Sequence, residues 1–391
     1  MHSRPAVKTA QSLLLLLFCF LLLYITTHQP ITTQPDETGK YTLTSLSGLR
    51  AQFVPRGASL SNLFLHDSHG IERDIVMGLD TAHAYSTAPN DHLGGIVGRY
   101  ANRIRNASFV MDGTEYHLDA NDNGHTLHGG RGGWDSREWT VTELSQHHIV
   151  FTLTDAGGAM GFPAKVEATV RYSLHPVEQE WGVEISAVVE EKTPLMLTSH
   201  VYWNLDGFGN VEEPTVRKHT LEMPDAGKRI DVDEELVPTG ELLVNDVGGP
   251  WDFWSHYPPR EIGDGMENAV GGCGKGCNGY DTCFAISEHD VEEKYVARLA
   301  SEWSGISMEV YSDQQGFQVY SCSGETGERK LKKTQGDGTV AKYGCLVMEV
   351  QDWIDRVNHP EWGGMPFWTP EMGEYKVKMR YRFDTARTGK I

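Results

Sequence analysis

Apolar and polar residues alternate with a period of two along several long stretches of this 391-residue chain. That period lets a β-strand bury one face and leaves no apolar stripe for a helix. Val166, Ala168, Val170, Tyr172 and Leu174 alternate with polar partners, and after the turn-like HPVEQE the pattern resumes at Trp181, Val183, Ile185, Ala187 and Val189. The spacing predicts a long antiparallel pair. Ile306, Met308 and Val310 repeat the pattern. Tyr375, Val377, Met379, Tyr381 and Phe383 alternate with Lys376, Lys378, Arg380, Arg382 and Asp384, predicting a last strand with one buried face and one wet, basic face. Amphipathic helical runs of useful length are absent, and Gly-rich turns join the strands without a βαβ rhythm. The expected fold is all-β, a large antiparallel β-sandwich. Neither a repeat nor a linker divides residues 40–391, so that span is read as one domain.

The ends and the charge narrow the function. Arg4 and Lys8 precede the apolar run Leu13 to Ile25, whose 13 residues fall short of the roughly 20 that span a bilayer and match the core of a secretory leader. Residues 1–25 are read as a signal peptide or signal anchor; TTHQPITTQP offers no small-x-small cleavage site, so an uncleaved anchor stays open. Both readings place the domain outside the cytosol, secreted or lumenal. Residues 26–39 are polar and Pro-bearing and read as a linker. Asn106-Ala107-Ser108 is a glycosylation sequon. A net charge of -20 repels nucleic acid, phosphorylated sugars and anionic membrane surfaces, which leaves a neutral small molecule as the expected partner.

Outside the leader stand Cys273, Cys277, Cys283, Cys322 and Cys345, an odd set with at least one free thiol. A Cys273–Cys277 bridge across CGKGC would clasp a local loop. Zinc would need about four ligands, and no second Cys/His pair stands at matching spacing. The literal G-x-G-x-x-G at Gly274 to Gly279 follows loop sequence and runs into the strand-like YDTCF, not a helix, so it is set aside.

Five segments concentrate polar groups that a core would not choose. In LMLTSHVYWNL, period two sets Leu195, Leu197, Ser199, Val201 and Trp203 on one face and His200 on the other, with Thr198, Tyr202 and Asn204. GRYANRI carries Arg99, Asn102 and Arg103. HTLHGG sets His125 and His128 against two glycines; either alone reads by default as a hydrogen-bonded turn histidine, and a metal reading of the pair lacks neighbouring carboxylates or thiolates. GCLVMEVQDW places Glu349 inside an apolar strand, where a carboxylate must be neutralised, paired or useful as a base. FQVYSCSG puts Gln318 and Tyr320 on one face. Acid and base groups, an arginine, an amide and aromatic rings together describe a site for a neutral polyhydroxylated ligand, and no cofactor motif appears.

Taken in order, GRYANRI, LHGG, SHVYWNL, GYDTCF, FQVY, MEVQDW and NHPEW resemble the aldose 1-epimerase (galactose mutarotase) family across nearly all of residues 40–391. The resemblance implies a galactose mutarotase-like supersandwich and an isomerase that interconverts the α and β anomers of free hexoses such as glucose and galactose without cofactor or metal. It implies Glu349 as base and His200 as acid, with Asn102, Arg103, His128, Asp281 and Gln318 binding the sugar. An imidazole near its ordinary pKa of about 6.5 would pass a proton at little cost. Departures from the family pattern are Ser199, Trp203, SCSG after the glutamine strand, an extra residue between Gly344 and Glu349, and the Gly/Cys insert before Asp281. A non-catalytic sugar-binding protein on the same fold is the alternative. A glycosidase would need Asp281 as a second carboxylate opposite Glu349.

Overall fold

The computed structural model describes residues 34–89, 91–286 and 293–386; the leader and residues 26–33 of the linker lie outside them. The period-two stretches become strands. Val166–Leu174 and Glu180–Val189 pair antiparallel with Leu174 opposite Trp181. Tyr375–Thr385 lies between Glu180–Val189 and Ile306–Ser312, at the centre of a nine-stranded sheet. A six-stranded sheet runs in the order Tyr202–Trp203, Leu346–Gln351, Gly316–Tyr320, Asp281–Ala285, Lys228–Val232, Pro238–Val244. A four-stranded sheet spans Tyr41–Thr44 to Glu72–Asp74. Among the described residues the α-helices, Ala82–Thr87 and Gly263–Met266, are single short turns.

One hydrophobic core takes inward residues from all three sheets: Val170, Tyr172, Trp181 and Tyr381 from the first, Phe317, Val319, Met348 and Val350 from the second, Leu43, Ala51 and Phe53 from the third. Trp203 marks the seam, its ring 5.3 Å from Tyr381 and 6.1 Å from Trp181, both on the facing sheet. Two antiparallel sheets packed through their alternate residues make the sandwich that the pattern predicts. On the outer face of the larger sheet, Arg380 pairs with Glu180 and Glu293, so the basic face of the last strand is an ion-paired surface.

The smaller sheet matters for the site. Leu346, Met348 and Val350 enter the core, so Val347, Glu349 and Gln351 point to the opposite face. That face is not open to water: Glu349 is only 2% exposed. The Cys273–Cys277 clasp is present, Cys283 is the buried free thiol, and a second disulfide, Cys322–Cys345, ties the end of Gly316–Tyr320 to the start of Leu346–Gln351. The sequence reading did not foresee that second bridge. Its two cysteines lie within SCSG and GCLV.

Candidate active site

His200 stands where its strand breaks. Thr198–Ser199 pairs with Ile96–Val97, and Tyr202–Trp203 pairs with Leu346 and Val347. Between them the His200 N–H donates to the Gly95 carbonyl at 2.9 Å and its carbonyl accepts from Gly94 N–H at 3.0 Å. Leu195, Leu197, Val201 and Trp203 all enter the core, which turns the imidazole to the other side. The family departures Ser199 and Trp203 therefore share the core-facing side of the strand and do not line the site.

Glu349 faces Gln318 directly across the strand pair. Its Oε1 lies 3.6 Å from His200 Nε2. Gln318 Nε2 donates to Asp281 Oδ1 at 2.5 Å, and Arg103 approaches the other Asp281 oxygen at 3.8 Å while donating through Nε to Asp122 at 2.8 Å. His128 closes the group, its ring 5.1 Å from His200 and perpendicular to it. The Asn102 N–H donates to His128 Nδ1 at 3.1 Å, so the neutral ring carries its proton on Nε2. Asn102 itself, at φ 59°, accepts from the Arg103 N–H through Oδ1 at 2.8 Å. Its visible work is to orient His128 and Arg103.

Burial governs the electrostatics. It pushes the Glu349 carboxyl well above its ordinary range, with Asp281 adding to the effect and Arg103 opposing it. Burial pushes His200 down to about 3, a neighbouring histidine, His92, adding to it and Asp135 opposing. His128 is lowered for the same first reason, helped by His92, His200 and Arg103. The expectation of an imidazole near 6.5 is thus corrected: low dielectric disfavours both charged partners, and the Glu349–His200 pair holds one proton, resting on the carboxyl. Among the described residues, His200 Nδ1, Glu349 Oε2 and Gln318 Oε1 are buried without a hydrogen-bond partner. Unpaired polar atoms this deep fit a polar ligand that completes their bonding.

The donor atoms of His128, His200 and Glu349 lie within 4.8 Å of one another, close enough to hold a metal ion. The hydrogen bond at His128 opposes it, because that ring keeps its lone pair on the nitrogen turned to Asn102.

Not every polar residue singled out in the sequence joins this group. Arg99 is buried against Asp155 and the carbonyls of Pro163 and Ala164, a structural anchor. His125 accepts from Asn106 N–H and turns its other nitrogen to Glu235, the hydrogen-bonded turn histidine of the default reading. Tyr320 accepts from Gly324 N–H through its hydroxyl. Two residues of the group were missed, His92 and its partner Asp135. His92, in NDHLGG, has its ring 4.6 Å from His128 and 5.4 Å from His200. The cue that marked His128, a histidine just ahead of paired glycines, was available there too.

A family model described as aldose 1-epimerase matches residues 39–382. The chain is 37% identical to a probable aldose 1-epimerase of Arthroderma benhamiae, over 85% of this chain and 83% of the other. It is 34% identical to an epimerase, FSL3, of Gibberella zeae, over 90% and 86%, and 32% identical to the galactose mutarotase of Bos taurus, over 80% and 85%. The solved structure of a GalM/aldose epimerase homologue from C. elegans superposes with a TM-score of 0.78 at 26% identity, covering 89% of this chain and 99% of that one. With sandwich and family match in agreement, the chain belongs to the aldose 1-epimerase family and is an isomerase of that class.

Proposed function

We propose that this enzyme interconverts the α and β anomers of free hexoses such as glucose and galactose, with Glu349 as base and His200 as acid. The observation that carries the assignment is the 3.6 Å approach of Glu349 Oε1 to His200 Nε2 in a buried site where each side chain keeps an unpartnered atom. When sugar hydroxyls solvate the pair, the proton moves from Glu349 to His200. The carboxylate then takes the anomeric hydroxyl proton, the electron pair of that O–H bond forms the carbonyl, the bond from C1 to the ring oxygen breaks, and His200 protonates that oxygen. The open aldehyde turns about its first carbon–carbon bond and recloses on the other face with the proton roles reversed. Ring opening leaves protonated Glu349 and neutral His200, the state that burial already favours. The open-chain sugar is therefore met by a pair that needs no rearrangement.

Arg103, Asp281 and Gln318 orient hydroxyls in this scheme, the His128 Nε2–H donates to a sugar oxygen, and Asn102 holds that ring in place. Polarimetry of freshly dissolved α-glucose or α-galactose tests it. Wild-type protein should speed the decay, and Glu349→Gln should lower the rate by about 10²–10⁴-fold. Saturable sugar binding without acceleration would point instead to a non-catalytic binding protein.

We infer that the protein works outside the cytosol as a secreted or lumenal glycoprotein. The reading is supported by the leader sequence, by two disulfides and by the exposure of Asn106 at the surface. Mass spectrometry of protein from a eukaryotic secretory host checks it: a glycan on Asn106 is expected, and its absence with retention in the cytosol would overturn the assignment.

A further inference from the structure

His92 and Asp135 belong to none of the roles above, yet they are built firmly into the site. His92 Nδ1 lies 2.5 Å from Asp135 Oδ2, and the Asp135 side chain is 1% exposed. Glycines wall that carboxylate in. A Cβ on Gly95 would fall 2.9 Å from the Asp135 Cβ, and one on Gly133 2.9 Å from Oδ1. Gly95 is also the residue whose carbonyl accepts from His200 N–H, so Asp135, His92 and His200 are registered through one turn. His92 takes φ 60°, an uncommon conformation for a non-glycine residue, which aims its ring between His128 and His200.

We propose that His92, carried as an imidazolium by Asp135, is a positioning residue that sets the acid strength of His200. The inference rests on the assignment of Glu349 and His200 as base and acid. A fixed positive charge one ring away resists a second proton on the Glu349–His200 pair and makes protonated His200 the stronger donor to the ring oxygen. Facing His92 are Asp135, the neighbouring Asp91, whose carboxylate is itself bound by Arg329 at 2.9 Å, and the His128 and His200 rings. Facing His200 are Glu349, His128, His92 and the Tyr202 ring at 4.9 Å. Burial works against charge on His92, but Asp135 outweighs it and holds the imidazole above its ordinary value. At this separation and an effective dielectric near 20, the charge on His92 is worth about 2 pH units on His200.

The test is the pH profile of kcat/KM for mutarotation in the full chain carrying His92→Gln or His92→Arg. His92→Gln should move the acid limb up by about 2 pH units and lower kcat several-fold with little change in KM; His92→Arg, which keeps a cation, should return the limb toward its original position. Loss of rate at every pH with the limb unmoved would mean a structural role and overturn the proposal. Glu349→Gln in the same assay separates the two claims, because a retained rate there refutes the base assignment whatever His92 does. Should the His92 variants fail to fold, the imidazole resonances of the wild-type protein decide: His92 is expected to remain protonated through pH 6.5, and titration at or below its ordinary value would overturn the proposal.

Discussion

A carboxyl and an imidazole buried side by side share protons as a unit, and this shapes what pH does to the enzyme. His200 is pushed down to about 3 and Glu349 well above its ordinary value, both chiefly by burial. Between those limits the pair holds one proton. Below the lower limit His200 gains a second and the base is lost; above the upper one the pair is emptied and the acid is lost. The acid limb of the kcat/KM profile should therefore lie below about pH 4, and a limb near 6.5 would show His200 titrating as an ordinary histidine. Arg103→Lys should raise KM about tenfold with a smaller effect on kcat, since a lysine cannot span Asp122 and Asp281 with a planar fork; unchanged steady-state constants would remove Arg103 from sugar binding. His200 and Glu349 were legible in the sequence because a polar residue in an apolar, period-two run stands out. His92 carried the same cue as His128, but its meaning depends on Asp135, 43 positions along the chain.

Strand pairing and tight turns hold these residues in register. Gly94 takes φ +68° and donates to the His200 carbonyl, and an added Cβ would fall 2.1 Å from the Leu60 carbonyl oxygen. Gly94→Ala should shift the turn that carries His200 and cut kcat by about 10- to 100-fold while the circular dichroism of the sandwich stays intact; full activity would show that the turn relaxes without moving the imidazole. The Cys322–Cys345 bridge joins the ends of the two strands that bear Gln318 and Glu349. Replacing both cysteines with serine should cost about 3 kcal/mol in urea unfolding, from the entropy returned to the unfolded chain, and an unchanged midpoint would show those ends held without it. The long strands were readable from alternation, but LMLTSHVYWNL is two short pairings on either side of a break at His200. Alternation continues through the break because core packing, not strand pairing, sets which way each side chain turns.

Across the whole molecule, Trp203 is the residue through which the site and the core are joined. It sits three positions from His200 and packs its ring edge-on and tilted among Trp181, Tyr381 and Phe383 of the facing sheet. Trp203→Ala should destabilise the fold by about 3–5 kcal/mol, measurable by thermal or urea unfolding, and a loss below about 1 kcal/mol would show the seam repacking. By itself the sequence determined the sandwich, its long strands and the face on which His200 and Glu349 point, because hydrophobic burial acts on a local period that can be counted along the chain. Only the tertiary structure decided which polar residues meet: Arg99 and His125 turned away to buried or local partners, while His92 and Asp135 came in. That choice depends on distance and desolvation between segments far apart in sequence, and neither quantity exists until the sheets have packed.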